Sequence, residues 1–165
     1  MAKQPELKTQ KTLWQNGLTF AGSIGWLGVF VYILFIFPDL PDRVPIHFNI
    51  NGMVDSWGYK GFIWVLPVIG IAVWGALTIM EKAPQHFDYL VTITEENAAR
   101  QYKNAVMLIS VLKTEIMAYF VFTTWQINNI AIGKMSAKSV WDVPLFLTVI
   151  FGTLGIFMYR MLKLK

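Results

Sequence analysis

The chain has 165 residues, 55% of them hydrophobic and only 15% charged, with a formal net charge of +4, whereas a soluble domain is roughly 45–50% apolar and about 25% charged. That balance excludes an ordinary soluble domain. The complete lack of cysteine also excludes disulfides, thiolate metal sites, iron–sulfur clusters, cysteine nucleophiles and lipidation at an N-terminal lipobox.

Uncharged stretches of 27, 20, 18 and 17 residues run over Thr12–Pro38, Gly61–Met80, Ile116–Gly133 and Val143–Tyr159. Each is close to the ~20 residues that cross a bilayer. They predict an all-α integral membrane protein: one four-helix transmembrane bundle over residues 1–165, with a short β-hairpin-like extracellular loop. The expected spans are about 18–37, 62–80, 104–129 and 141–162, joined by an outer loop at 38–61 and a cytoplasmic loop at 81–103. Nine lysines and arginines fall on the side of the termini: Lys3, Lys8, Lys11, Lys82, Arg100, Lys103, Arg160, Lys163 and Lys165. Four fall opposite: Arg43, Lys60, Lys134 and Lys138. The positive-inside rule then puts both termini in the cytoplasm. These cations flank apolar spans and form no continuous basic surface, so nucleic acid is not an expected partner; the lipid bilayer is.

The first span is too long for a signal-peptide core and reads as a retained helix. Trp57, Tyr59, Trp64, Trp125 and Trp141 are expected in an aromatic belt at the outer surface, and Trp14, Tyr102 and Tyr159 at the inner one. Trp26 and Trp74 fall mid-span and are expected to pack or to face lipid. Ala21 with Gly25, and Ala72 with Ala76, have the four-residue spacing that allows close helix approach.

The outer loop concentrates prolines at 38, 41 and 45, which exclude a helix there. Beyond Pro45, Ile46, Phe48 and Ile50 alternate with His47, Asn49 and Asn51 ahead of Asn51-Gly52, the pattern of a hairpin with a two-residue turn. That register pairs Ile50 with Met53, Phe48 with Asp55 and His47 with Ser56, placing His47 and Asp55 on opposite faces. A His47–Asp55 pair therefore requires another register or a bulge. In the cytoplasmic loop, Thr92 and Glu95 match a capping box, predicting a helix from about residue 95 that continues into the third span and protrudes roughly 15 Å as a solvated end or a partner surface. Within that span, Lys113 and Glu115 lie roughly 12–16 Å beyond Ala105 and point about 200° apart, so each needs its own solution: a water-filled cavity, a folded-in loop, a neighbouring protomer of a homo-oligomer, or neutralisation of one group by a shifted pKa. No metal is expected, since His47 and His86 fall on opposite sides and HExxH is absent, and without a Gly-x-Ser-x-Gly elbow no serine nucleophile is indicated. No cofactor motif is present either, and no catalytic set accompanies His47, so an enzyme using His47 as acid or base with Asp55 orienting it is not favoured.

The segment Leu40-Pro-Asp-Arg-Val-Pro-Ile-His-Phe-Asn-Ile-Asn-Gly-Met-Val-Asp-Ser-Trp-Gly-Tyr-Lys60 resembles a bacterial membrane-protein domain of unknown function that also occurs in SdpI-type immunity proteins against the sporulation-delaying toxin. The likeness spans about residues 20–80 and includes Pro41, Asp42, Pro45, His47, Phe48, Asn49, Gly52, Asp55, Trp57, Gly58 and Lys60. It implies a multi-pass protein of the bacterial cytoplasmic membrane that protects against or senses a membrane-active peptide. The expected binding residues are Asp42, His47, Asn49, Asp55, Trp57 and Lys60, with a peptide toxin at the outer face and a cytoplasmic regulator at 81–103. The competing expectation, from the intramembrane charges alone, is a small transporter or channel component with Lys113 and Glu115 in a polar pathway.

Overall fold

A computed structural model describes residues 4–7 and 11–165; Lys3 and Lys8 of the charge balance lie outside the described residues. Four helices are long and apolar enough to cross a membrane: α1 (Leu13–Ile36), α2 (Val65–Met80), α3 (Ala98–Ala131) and α4 (Asp142–Lys163). Strands β1 (Arg43–Phe48) and β2 (Val54–Tyr59) form an antiparallel hairpin between α1 and α2. The expected spans agree with these helices to within a turn or two.

Local chemistry accounts for the ends. Thr12 and Gln15 close a reciprocal capping box at the start of α1, and Pro38 and Pro41 prevent its continuation. Pro67 and Pro144 each sit in a helix's first turn, where a missing N–H costs no intrahelical bond. At α3 the expected box moves by two residues. Thr94 and Asn97 bond each other's backbone N–H at 2.9 and 3.3 Å, and the helix begins at Ala98, not near 95. Asn97 can accept from the backbone of Thr94 while its amide donates to the Thr92 carbonyl at 3.0 Å, which fixes the turn more fully than Glu95 would.

Helix α3 packs against α1, α2 and α4 and is the hub of the bundle. Its first turns are not a free protrusion, because Ala98, Gln101, Tyr102 and Asn104 are all buried. The N-terminal segment covers them through Tyr102, which donates to the Pro5 carbonyl at 2.9 Å. Tyr102 therefore belongs to the interior, not to an aromatic belt. Trp64 also departs from the belt, stacking on Phe30 with ring centroids 5.7 Å apart, whereas Trp14, Tyr59, Trp125, Trp141 and Tyr159 are exposed as expected.

The α1–α2 contact is an interlock of tryptophans and glycines. The Trp74 indole fills the notch at Gly22, and the Trp26 indole fills the notch at Gly70. Gly25 admits Met117 of α3, so its close-approach role holds; Ala21, Ala72 and Ala76 face outward instead. A glycine opposite an indole removes the Cβ that would otherwise hold the backbones apart, and dispersion contacts replace the hydrophobic drive that lipid does not supply.

Helix α4 is attached differently. Gln101 Nε2 donates to the Met161 and Leu164 carbonyls at 2.9 and 3.0 Å, satisfying acceptors at the end of α4 that have no helical partner. Asn104 Nδ2 donates to the Phe157 carbonyl at 3.1 Å, and Thr153 donates to Glu115 at 2.6 Å. Tyr119 and Phe146 stack with centroids 4.1 Å apart.

Gly22→Ala is expected to lower stability by about 1–3 kcal/mol, through overpacking against Trp74. Gly28→Ala, where a methyl meets open space, should leave it unchanged or slightly raised. Thermal unfolding in detergent checks both, and adding Trp74→Phe to Gly22→Ala should recover part of the loss.

Candidate functional site at the hairpin end

Two groups of polar side chains stand out, one at the hairpin end of the bundle and one at the end carrying the termini. The hairpin is closed by a three-residue loop rather than the expected two-residue turn. Asn49 N–H donates to the Met53 carbonyl and Gly52 N–H to the Asn49 carbonyl, both at 2.9 Å, and Gly52 takes φ +74°. A type I turn followed by a left-handed glycine gives this geometry. Asn49 organises the turn, because its side-chain oxygen accepts from Asn51 and Met53 N–H at 2.9 and 3.1 Å.

The longer turn shifts most of the pairing by one residue, so Phe48 pairs with Val54 and Pro45 with Trp57. His47 still pairs with Ser56 as expected, with register shifts on either side. These leave Asp55 and Ile46 as the unpaired extra residues of two compensating bulges. The bulge at Asp55 turns its carboxylate to the face of His47, and Oδ1 lies 2.6 Å from Nδ1. Both side chains are exposed. The alternation also fails to bury Ile46 and Ile50; the hairpin's buried contacts come from Val44 and Pro45 at its base, beside Leu40 and Ile63.

The other expected binding residues are spread along the hairpin. Asp42 accepts from Lys60 N–H at 2.9 Å through its backbone, with its side chain exposed. The Lys60 ammonium lies 5.2 Å from the Phe37 ring centroid, and Trp57 is 42% exposed. Beneath the hairpin a cavity of about 390 Å³ opens between β1, the start of α2 and α3. Pro45, Phe48, Phe62 and Leu66 make it largely apolar, with His47 at its lining. Thr123 and Thr124 also line it, and their buried hydroxyls have no hydrogen-bond partner among the described residues.

Sequence reasoning missed Lys138, counted only for its charge. Its backbone N–H donates to the Gly52 carbonyl of the hairpin turn at 2.9 Å, and its ammonium lies 5.3 Å from the Phe48 ring centroid. It lines the same cavity. Burial holds its pKa below the usual lysine value, with Asp142 partly opposing the shift. The adjacent Thr123-Thr124 pair inside an apolar span is the sequence signal that could have pointed to this side of the site.

Away from the hairpin, Lys113 and Glu115 have different partners. Lys113 is buried and donates to Glu81 at 2.8 Å and to Thr78 at 3.3 Å, above the Trp74 ring. Glu81, the C-cap of α2, also accepts from Lys11 at 2.5 Å and Ser110 at 2.7 Å. Helix side chains lean toward the N-terminus, so the Lys113 ammonium reaches the level of the α2 end and is nearer the surface than its Cα position implies. Of the expected solutions, the folded-in loop comes closest. Glu115 lies instead in the α3–α4 seam against Thr153, with its second oxygen buried and unpartnered among the described residues. Ser110 and Lys113, three apart on one helix face, were the readable half of the cluster; Glu81 was not, because it closes an apolar run and looks like a loop residue.

Burial pushes the Glu81 carboxyl up, but the hydrogen bonds from Lys11, Lys113 and Ser110 outweigh it and hold the pKa below its ordinary 4.5. Ionised Glu81 therefore stabilises the fold above that value, and the contribution is lost as pH falls through the depressed folded value. Glu81→Gln should cost on the order of 3–5 kcal/mol at pH 7 by stranding a buried ammonium, and should remove this part of the acid dependence. Glu81→Leu combined with Lys113→Met should recover most of the loss in detergent unfolding, because partly exposed Lys11 can return to water.

Gly52→Ala, strained at positive φ and blocked by the Lys138 carbonyl, should open the hairpin to proteolysis without disturbing the helices.

Residues 24–71, from mid-α1 through the hairpin into α2, match the family model of a domain of unknown function, DUF1648. This is under a third of the chain; it includes the His47–Asp55 pair and the Trp26–Gly70 notch, but not Gly22, Trp74, Glu81, Lys113, Glu115 or Lys138. No curated protein and no solved structure matches the chain.

Proposed function

We propose that this chain is a non-enzymatic, multi-pass protein of the bacterial cytoplasmic membrane that protects against or senses a membrane-active peptide, taken up at the hairpin end on the outer face. The observation that carries this reading is the cavity beneath the hairpin. It is of small-side-chain-cluster size, about 390 Å³, and lies between β1 and the ends of α2 and α3, the level at which an amphipathic peptide meets a bilayer surface. Its apolar walls suit one or two aromatic or aliphatic side chains, while the Thr123 and Thr124 hydroxyls, unpartnered among the described residues, offer hydrogen bonds to a buried polar group. The exposed Asp42 and Asp55 carboxylates provide electrostatic attraction for a cationic peptide, and exposed Trp57 and Tyr59 provide amphipathic contact.

The resemblance to SdpI-type immunity proteins supports the same reading, with the 81–103 segment as the surface for a cytoplasmic regulator. The competing reading, a small transporter or channel component, would have to use Lys113 and Glu115 from separate environments on α3.

The test is survival of a strain lacking the protein across a panel of membrane-active peptides. The strain is complemented at matched membrane levels with wild type, His47→Ala, Asp55→Asn, Thr124→Val or Glu115→Gln. Wild type and Glu115→Gln should raise the inhibitory concentration of at least one peptide, and the hairpin and Thr124 variants should lower it several-fold. A panel in which wild type protects against nothing would sink the proposal.

A further inference from the structure

The end of the bundle that carries the termini holds a second, chemically different site. Arg100 and Lys103 of α3 and Arg160 of α4 line one pocket of about 250 Å³, closed by Thr12 at the start of α1 and by Asn104, Met107 and Leu164. The three cations are exposed, and among the described residues no carboxylate forms a salt bridge with any of them. Like charges repel, so this convergence is unfavourable without an anion. Asn104 is only 3% exposed; its amide is used on the Phe157 carbonyl, while its Oδ1 has no partner among the described residues. A buried acceptor left unpaired is costly, so the pocket calls for a ligand with both an anion and a hydrogen-bond donor.

The location specifies a lipid. The pocket lies where α1 begins and α4 ends, beside exposed Trp14 and Tyr159, the aromatic types that mark headgroup level. A mostly apolar groove of about 420 Å³, with Ala118, Tyr119, Leu145 and Val149 in its lining, lies further along the α3–α4 seam. Asn104 and Glu115, Met107 and Ala118, and Val149 and Arg160 are the corresponding residues of the two pockets, each pair eleven apart. Eleven residues make just over three helical turns, so both pockets lie on one stripe, about 16 Å apart. That separation is within the reach of an acyl chain.

We propose that this seam binds an anionic glycerophospholipid: Arg100, Lys103 and Arg160 hold the headgroup phosphate, Asn104 Oδ1 accepts from a headgroup hydroxyl, and an acyl chain lies along α3–α4. Phosphatidylglycerol has this chemistry, and basic pockets between helices are suited to anionic headgroups. The site is independent of the hairpin cavity and of the function proposed for it.

The experiment measures binding of short-chain phosphatidylglycerol to the full chain in neutral detergent, by native mass spectrometry and by the shift in unfolding temperature. Phosphatidylcholine, phosphatidylmethanol and inorganic phosphate serve as comparison ligands. Lys103→Gln with Arg160→Gln should weaken phosphatidylglycerol binding on the order of tenfold or more. Lys82→Gln with Lys165→Gln, which removes the same charge elsewhere, should leave it within about twofold. Phosphatidylmethanol, which keeps the phosphate charge and loses the hydroxyls, should bind several-fold more weakly than phosphatidylglycerol. Equal weakening by both charge pairs, equal affinity for phosphatidylcholine or phosphatidylmethanol, or full competition by millimolar inorganic phosphate would overturn the assignment. If the Lys103/Arg160 variant unfolds, lipid competition on the wild-type chain decides by itself.

Discussion

One carboxylate, Glu81, holds the terminal end of the first three helices in place. It receives hydrogen bonds from Lys11 ahead of α1 and from Ser110 and Lys113 on α3, while capping α2. A lysine buried among apolar helices is tolerable only when its charge is matched and its donors are used. The match is geometrically narrow, since sliding α2 by a turn along α3 would move Glu81 about 5 Å and leave Lys113 unpaired. The ion cluster therefore sets helix register, a role that nonspecific apolar contact cannot fill in lipid.

The rest of the packing follows from the same constraint, that lipid tails solvate apolar side chains as well as other helices do. Helices α1 and α2 gain contact by sinking indoles into glycine notches. Helix α4 has few buried side chains and is attached to α3 through Gln101, Asn104, Thr153 and the Tyr119–Phe146 stack. Its weakly covered seam is the surface on which lipid should be most intimately bound. At the other end, the Gly52–Lys138 backbone contact ties the hairpin to the α3–α4 connection, so the cavity beneath it is bounded by segments far apart in sequence.

The bulged hairpin shows how small a feature decides the site's chemistry. With a two-residue turn His47 and Asp55 would face opposite ways. Adding one residue to the turn and one bulge on each strand brings them within 2.6 Å. Gly52 makes this possible, because its left-handed conformation is reached without the Cβ penalty that another residue would incur.

Four helical spans were legible in the sequence because a bilayer imposes a length and an apolarity that each segment must meet alone. The hairpin was legible as a type, from Pro45, Asn51-Gly52 and the short alternation, and so was the need of Lys113 for a partner. What only the tertiary structure decided were pairings between distant segments: Glu81 with Lys113, Trp74 in the Gly22 notch, Lys138 against Phe48, and Glu115 with Thr153. The physical reason is that hydropathy is a sum along the chain, whereas a partner is chosen by three-dimensional distance. The start of α3 and the hairpin register were missed for a related reason. Thr92 with Glu95 and Thr94 with Asn97 are competing local solutions, as are turns of two and three residues, and differences of this size are settled by which backbone groups the surrounding fold leaves to be satisfied.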